Sequence, residues 1–109
     1  MTKEIEKKLE YVTFTPPVDI VEKSDGLDIF LDVPGACQEC LDVNIEDNVL
    51  SIKAETNTKY NDKFIKYERA FSLSDDLAAD KTSAKVEDGQ LKMHIPKNEE
   101  AKIKRITVT

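Results

Sequence analysis

The chain has 109 residues, of which 39% are hydrophobic and 35% are charged, and its formal net charge is −6. This length is enough for one small folded domain, and the hydrophobic fraction is too high for a wholly disordered chain. The acidic balance offers no basic surface for nucleic acid or an anionic membrane, and no apolar run is long enough for a membrane span or a secretory signal. We therefore expect a cytoplasmic protein that binds neither nucleic acid nor membranes.

Residues 1–16 are predicted to form a short N-terminal arm. Apolar side chains such as Ile5 and Leu9 recur in it at near-helical spacing. This spacing favours a short amphipathic helix that Pro16 and Pro17 would end. A frayed arm is the alternative, because a helix of this length rarely persists in water without packing partners.

After the two prolines the hydrophobic period changes to two, which is typical of strands with one buried face. Asp47-Asn48 and Asp88-Gly89 predict tight hairpin turns, since these residues tolerate a positive φ. Residues 56–63 are predicted to be a polar loop. The alternation predicts seven strands, over Val18–Lys23, Leu27–Val33, Leu41–Ile45, Leu50–Ala54, Phe64–Leu73, Ala84–Val86 and Leu91–Ile95.

Seven short strands without a convincing helix predict an all-β fold, an antiparallel immunoglobulin-like β-sandwich of about seven strands. Arg69 falls on the apolar face of its strand, where a charge needs a carboxylate partner or an interface. The side chains expected to share the core are Leu31, Val43, Ile45, Ile52, Phe71, Leu91 and Ile95.

Cys37 and Cys40 are the two cysteines of the chain and have C-x-x-C spacing. Two reduced thiols are the preferred interpretation, ahead of a disulfide or redox role. A zinc site is disfavoured because it needs about four ligands, and the lone His94 lies far along the chain in a predicted strand. No glycine-rich phosphate loop, nucleophile motif or metal-ligand cluster is present, so we expect neither enzymatic activity nor a cofactor.

The order of strands and turns resembles the alpha-crystallin domain of small heat-shock proteins. Residues 17–22 are similar to the opening P-x-D-I-x-E of that family, and residues 31–35 are similar to its D-L/V-P-G turn. Residues 84–91 match its A-x-x-x-x-G-x-L pattern, which is followed here by Ile95-Pro96-Lys97. Residues 67–73 are similar to its F-x-R-x-F-x-L segment.

The resemblance implies an arm over residues 1–16, an alpha-crystallin domain over 17–97 and a C-terminal extension over 98–109. It places Arg69 at a dimer contact. It also identifies Ile106 and Val108 as an I-x-I/V tail motif that docks in a groove of a neighbouring subunit. The groove is expected to be lined by Leu41, Val43, Ile45, Ala84 and Val86.

The function implied by the resemblance is that of an ATP-independent chaperone, a holdase that binds unfolding proteins and prevents their aggregation. The expected partners are these clients and the chain itself, as a homodimer or a larger oligomer. Ile5, Leu9 and Phe14 of the arm are the expected client contacts. Two alternatives remain: an adaptor module of the related CS type that binds other chaperones, and a self-assembling structural protein without client activity.

Overall fold

A computed structural model describes residues 10–99 and 106–108 of the chain. Ile5 and Leu9 lie outside the described residues. A 3-10 turn over Ala79–Lys81 accompanies the strands, and no helix in the described ranges is long and apolar enough to cross a membrane. The eight strands are β1 (Tyr11–Phe14), β2 (Val18–Lys23), β3 (Gly26–Asp32), β4 (Ala36–Glu46), β5 (Val49–Tyr60), β6 (Lys63–Ser72), β7 (Ser83–Glu87) and β8 (Gln90–Pro96).

The strands form two four-stranded sheets, with the orders β1-β6-β5-β4 and β2-β3-β8-β7. Strands β2 to β8 are the seven predicted from alternation, and their pairings are all antiparallel. The two sheets enclose one apolar core, which confirms the predicted β-sandwich. Strands β4 and β7 are the edge strands on one side of the sandwich, a position that leaves a gap between the sheets there.

Alternation along the strands places one face of each sheet in the core. Asp32 and Asn44 are exposed, so the predicted face assignment is confirmed. Three of the seven predicted core residues are nevertheless only half-buried: Val43, Ile45 and Phe71. The first two lie on the edge strand β4, where a neighbouring strand covers one side only. The fully buried side chains are Ile29, Leu31, Val33, Leu50, Ile52, Leu91 and Ile95.

The predicted hairpin turns are present, and positive φ angles mark them. Asp47 and Asn48 have φ angles of 53° and 62°, in the left-handed region that a two-residue hairpin turn requires. The predicted polar loop over residues 56–63 is wrong. The β5 strand runs on to Tyr60, and a further turn at Asn61-Asp62, with φ angles of 53° and 66°, leads directly into β6.

The arm does not form the predicted helix where it is described. Residues 11–14 instead form β1, which pairs in parallel with β6, from Tyr11 opposite Phe64 to Phe14 opposite Tyr67. The Phe14 ring contacts the Tyr60 ring edge-on, with their centroids 5.7 Å apart. Aromatic and β-branched residues favour strands, and the open edge of β6 provides backbone partners, so tertiary pairing overrides the weak helical spacing.

Gly26 opens β3 at a point where no other side chain fits. A Cβ atom there would lie 2.2 Å from the Ile95 carbonyl oxygen, which belongs to the backbone of β8. Gly26→Ala is therefore expected to lower the free energy of unfolding by about 1 to 3 kcal/mol, measured by denaturant titration. Gly89→Asn is the matched control, because asparagine tolerates the left-handed turn and the nearest atom to a Cβ there is 3.4 Å away. Equal losses in both variants would contradict the close approach.

Candidate interaction groove

A groove lies in the gap between edge strands β4 and β7, and it consists of two adjoining cavities. The smaller, of about 130 Å³, is lined by Gln38, Leu41, Val43, Ala84, Lys85, Val86 and Leu91. The larger, of about 460 Å³, is lined by Val43, Asn44, Ile45, Ala79, Asp80, Thr82 and Ala84. The five side chains predicted from the sequence are thus brought together, and Val43 and Ala84 line both cavities.

The groove has an apolar floor between two backbone edges. Leu41, Val43 and Ile45 lie at a spacing of two on β4, so their side chains project to the same side at intervals of about 7 Å. Ala84 and Val86 repeat this spacing on β7. Each edge strand pairs with one neighbour only and leaves backbone groups for an added strand. The groove therefore fits an extended segment with apolar residues at every second position.

The tail motif has the spacing that such a groove requires. In an extended chain, the side chains of Ile106 and Val108 lie on one side while Thr107 points to the other. Both aliphatic side chains are free in this single chain, with 84% of Ile106 and 87% of Val108 exposed. The described part of the tail therefore does not occupy the groove of its own chain.

Charged side chains flank the groove on the β7 side. Glu87 lies 3.5 Å from the ammonium nitrogens of both Lys85 and Lys92, and these two charges lower the pKa of its carboxyl. Since Lys85 also lines the smaller cavity, an apolar floor lies beside a solvated, charged rim. Such a rim keeps an apolar surface soluble.

Arg69 lies on β6, which is separated from the groove strand β4 by β5 in the same sheet. Its guanidinium donates a hydrogen bond of 3.3 Å to the Pro16 carbonyl oxygen and lies 5.1 Å from the centroid of the Phe71 ring. The side chain is half-buried, and no carboxylate among residues 10–99 and 106–108 forms an ion pair with it. The carboxylate partner predicted for Arg69 is thus not provided by the described part of its own chain.

The outer face of the second sheet carries a charge cluster that sequence reasoning did not find. Asp28 accepts hydrogen-bonded contacts of 2.6 Å from Lys23 and from the His94 ring, and these contacts lower the pKa of its carboxyl, Lys23 more strongly. Pairing of β3 with β8 places Asp28 opposite His94. The register of two strands far apart in sequence creates this cluster, so no local motif predicts it.

The interpretation of Cys37 and Cys40 as two reduced thiols is wrong for this structure, because a disulfide joins them. The cause is a bulge at the start of β4. Ala36 pairs with Thr56 and Leu41 pairs with Ala54, so four residues of β4 oppose a single residue of β5. The bulge brings the two cysteine Cα atoms to 5.1 Å, within the usual range for a disulfide.

Several solved structures share this fold. The structure matches a small heat-shock protein from Xylella fastidiosa with a TM-score of 0.72 and 28% identity, over 88% of this chain and 97% of that one. It matches hspA from Xanthomonas axonopodis with a TM-score of 0.68 and 26% identity, over 77% and 94% of the two chains. The fold is therefore that of an alpha-crystallin domain.

Sequence comparison agrees with the fold. The 18 kDa antigen 1 of Mycobacterium avium is 34% identical over 97% of this chain and 82% of its own length. Small heat shock protein C2 of Rickettsia felis is 30% identical over 85% of this chain and 67% of its own length. The family described as Hsp20/alpha crystallin matches residues 19–109. The chain belongs to the Hsp20/alpha crystallin family, and this membership supports a chaperone role.

Proposed function

We propose that this chain is an ATP-independent holdase that binds unfolding proteins and keeps them from aggregating. The observation that carries the proposal is an apolar groove between two open strand edges, in a chain whose matching tail motif is exposed. A holdase needs apolar surface that is covered until required, and a charged exterior that keeps the loaded complex soluble. It needs no catalytic group and no nucleotide.

In this proposal the tail motif of one subunit fills the groove of another. Burial of Ile106 and Val108 contributes about 3 to 6 kcal/mol before the cost of ordering the tail. The net affinity is then low enough for reversible exchange. Release of a tail exposes both the groove and the tail motif, and extended apolar segments of a client bind the vacated groove by strand addition.

The dimer contact is proposed to lie at the exposed part of the β6 edge. Strand β1 pairs with β6 only as far as Tyr67, so the following residues of β6 keep an open edge on that side. Arg69 lies in this stretch and carries a positive charge without a carboxylate partner in the described part of its chain. A second copy that supplies a strand edge would pair with the open backbone of β6, and a carboxylate on that copy would pair with the charge of Arg69.

The arm is proposed to add a second client contact through Ile5, Leu9 and Phe14. Of these, Phe14 is described, and 36% of it is exposed beside the Tyr60 ring. A short paired strand at a sheet edge opens locally at low cost, since few buried contacts hold it. We further propose that the protein acts in the cytoplasm and binds neither nucleic acid nor membranes.

Two other functions predict different behaviour. An adaptor of the CS type would bind a folded chaperone partner, and a self-assembling structural protein would form particles without protecting clients. The I-x-V tail and the groove favour the holdase over the adaptor, because they provide a site for extended chains.

The test is light scattering from a heat-denatured enzyme, with and without the chain and in the absence of nucleotide. The proposal predicts that scattering falls as the chain is added, and that ATP does not change the effect. The matched control is Asn57→Asp, which adds charge at an exposed position of β5 that lines neither cavity, whereas Val43→Asp places charge on the groove floor. Protection should survive the first change and be lost with the second. Full scattering with the unmodified chain would reject the holdase and leave the structural alternative.

A further inference from the structure

The disulfide lies at one end of the groove wall. Within the bulge, Gln38 lies between the two cysteines and lines the smaller cavity, and Leu41 lines the same cavity directly after Cys40. The residues that shape this end of the groove are thus covalently tied to the disulfide. A change in the Cys37–Cys40 bond therefore acts directly on this part of the groove wall.

The disulfide shortens the strand where it occurs. Three residue steps in a regular strand span about 10 Å, whereas the Cα atoms of Cys37 and Cys40 are 5.1 Å apart. The ladder to β5 is interrupted over these four residues and resumes at Leu41. No backbone pairing with β5 holds the bulge, so the disulfide is its main constraint.

The bond is also accessible to a reductant. Cys37 is exposed and Cys40 is half-buried. Exposed disulfides are typically the labile or regulatory ones. In cytosolic proteins of mesophiles, disulfides are usually transient and redox-sensing, which fits the proposed compartment.

We propose that Cys37 and Cys40 form a reversible thiol–disulfide site that controls the affinity of the groove, an inference that rests on the groove function proposed above. The co-reactant is a dithiol of the thioredoxin type. One of its thiolates attacks one cysteine sulfur and forms a mixed disulfide, and the other cysteine leaves as a thiolate. The second thiolate of the reductant then displaces the bound cysteine. The chain gains two electrons and two protons and ends with two thiols, and the reductant ends as a disulfide.

The oxidised form holds Gln38 in the groove wall before a ligand arrives, next to Leu41, which the ladder to β5 already positions. After reduction the bulge is free to lengthen, so binding must order this wall again at a cost in conformational entropy. The oxidised chain therefore binds the tail motif more tightly. Reduction therefore releases tails and exposes the tail motif.

The experiment uses the full chain carrying Ile106→Gly and Val108→Gly, so that no intrinsic tail competes, and a synthetic peptide of residues 99–109 as the probe. The peptide Kd is measured by fluorescence anisotropy before and after treatment with dithiothreitol, and alkylation with mass spectrometry reports the thiol state. We expect reduction of the folded protein without denaturant and binding about two- to tenfold weaker afterwards. The same chain with Cys37→Ser and Cys40→Ser should bind with the weaker Kd under both conditions.

The possible results separate the two proposals. If the peptide binds neither form, the groove function fails and the redox inference fails with it. If the peptide binds both forms equally, or if the disulfide resists dithiothreitol in the folded chain, the redox inference alone is overturned. A dithiothreitol effect that persists in the double serine variant would likewise overturn it, because that variant has no disulfide to reduce.

Discussion

The double variant Ile106→Gly, Val108→Gly is expected to sediment as smaller particles than the unmodified chain. It removes the two aliphatic side chains that would fill the groove of a neighbour. Their burial contributes about 3 to 6 kcal/mol to the free energy of docking before the cost of ordering the tail. After the cost of ordering the tail, association should weaken about 10- to 100-fold. Sedimentation velocity over a range of concentrations measures the shift.

Thr107→Gly is the matched control for this experiment. It adds glycine backbone freedom at one tail position instead of two, and it removes a side chain that points away from the groove in the docked state. Particle size should remain unchanged. If the double variant and the control sediment alike, the tail does not dock in trans, and the mechanism built on subunit exchange must be abandoned.

Arg69→Ala is expected to have the second large effect. Within one chain it removes a charged hydrogen bond to the Pro16 carbonyl oxygen and the stacking contact with Phe71. A half-buried contact of this kind contributes about 1 to 3 kcal/mol to the free energy of unfolding. If Arg69 also meets a carboxylate of a second copy, the dimer dissociation constant rises as well. Denaturant titration measures the first effect, and sedimentation equilibrium measures the second.

Two controls separate the roles of Arg69. Lys66→Ala removes a charge from the stretch of β6 that β1 already covers, and it should leave dimerisation unchanged. Arg69→Lys keeps the charge but loses the planar guanidinium, so it should restore part of the association and little of the stacking. A dimer of full affinity in Arg69→Ala would contradict the proposed contact.

The fold could be predicted because seven strands alternate in hydrophobicity and two of their hairpin turns carry residues that tolerate a positive φ. In a strand the period of two determines which face is buried, so the exposed positions of Asp32 and Asn44 follow directly from the pattern. The degree of burial could not be predicted as well. Val43 is half-buried because its strand lies at an edge, and alternation carries no information about strand order.

Three local features depended on tertiary context. Strand β1 forms because the edge of β6 is available to pair with it, and the helical spacing of the arm carried no sign of that edge. The extended hairpin at Asn61-Asp62 was hidden by polar residues that suit either a loop or an exposed strand. The disulfide depends on a bulge of four residues, and a bulge cannot be recognised from the C-x-x-C spacing alone.

Part of the candidate site could be predicted from the sequence, and part of it depends on tertiary structure. The family resemblance indicated which two strands flank the groove, alternation indicated which of their residues face it, and all five line the cavities. Gln38 was missed, because it reaches the groove from within the bulge. A polar residue outside the alternating pattern gives no indication in the sequence that it lines an apolar groove.

The most direct test of the account is a methyl NOE measurement on a mixed sample, in which half of the chains carry labelled valine and alanine and the other half carry labelled isoleucine. Docking in trans predicts intermolecular NOEs between Ile106 of one copy and Val43 and Ala84 of another. Dilution below the dissociation constant of the assembly should remove them. The contradicting result is an assembly of full size in which Ile106 gives intermolecular NOEs, but none to Val43 or Ala84. The groove between β4 and β7 would then not be where this protein binds extended chains.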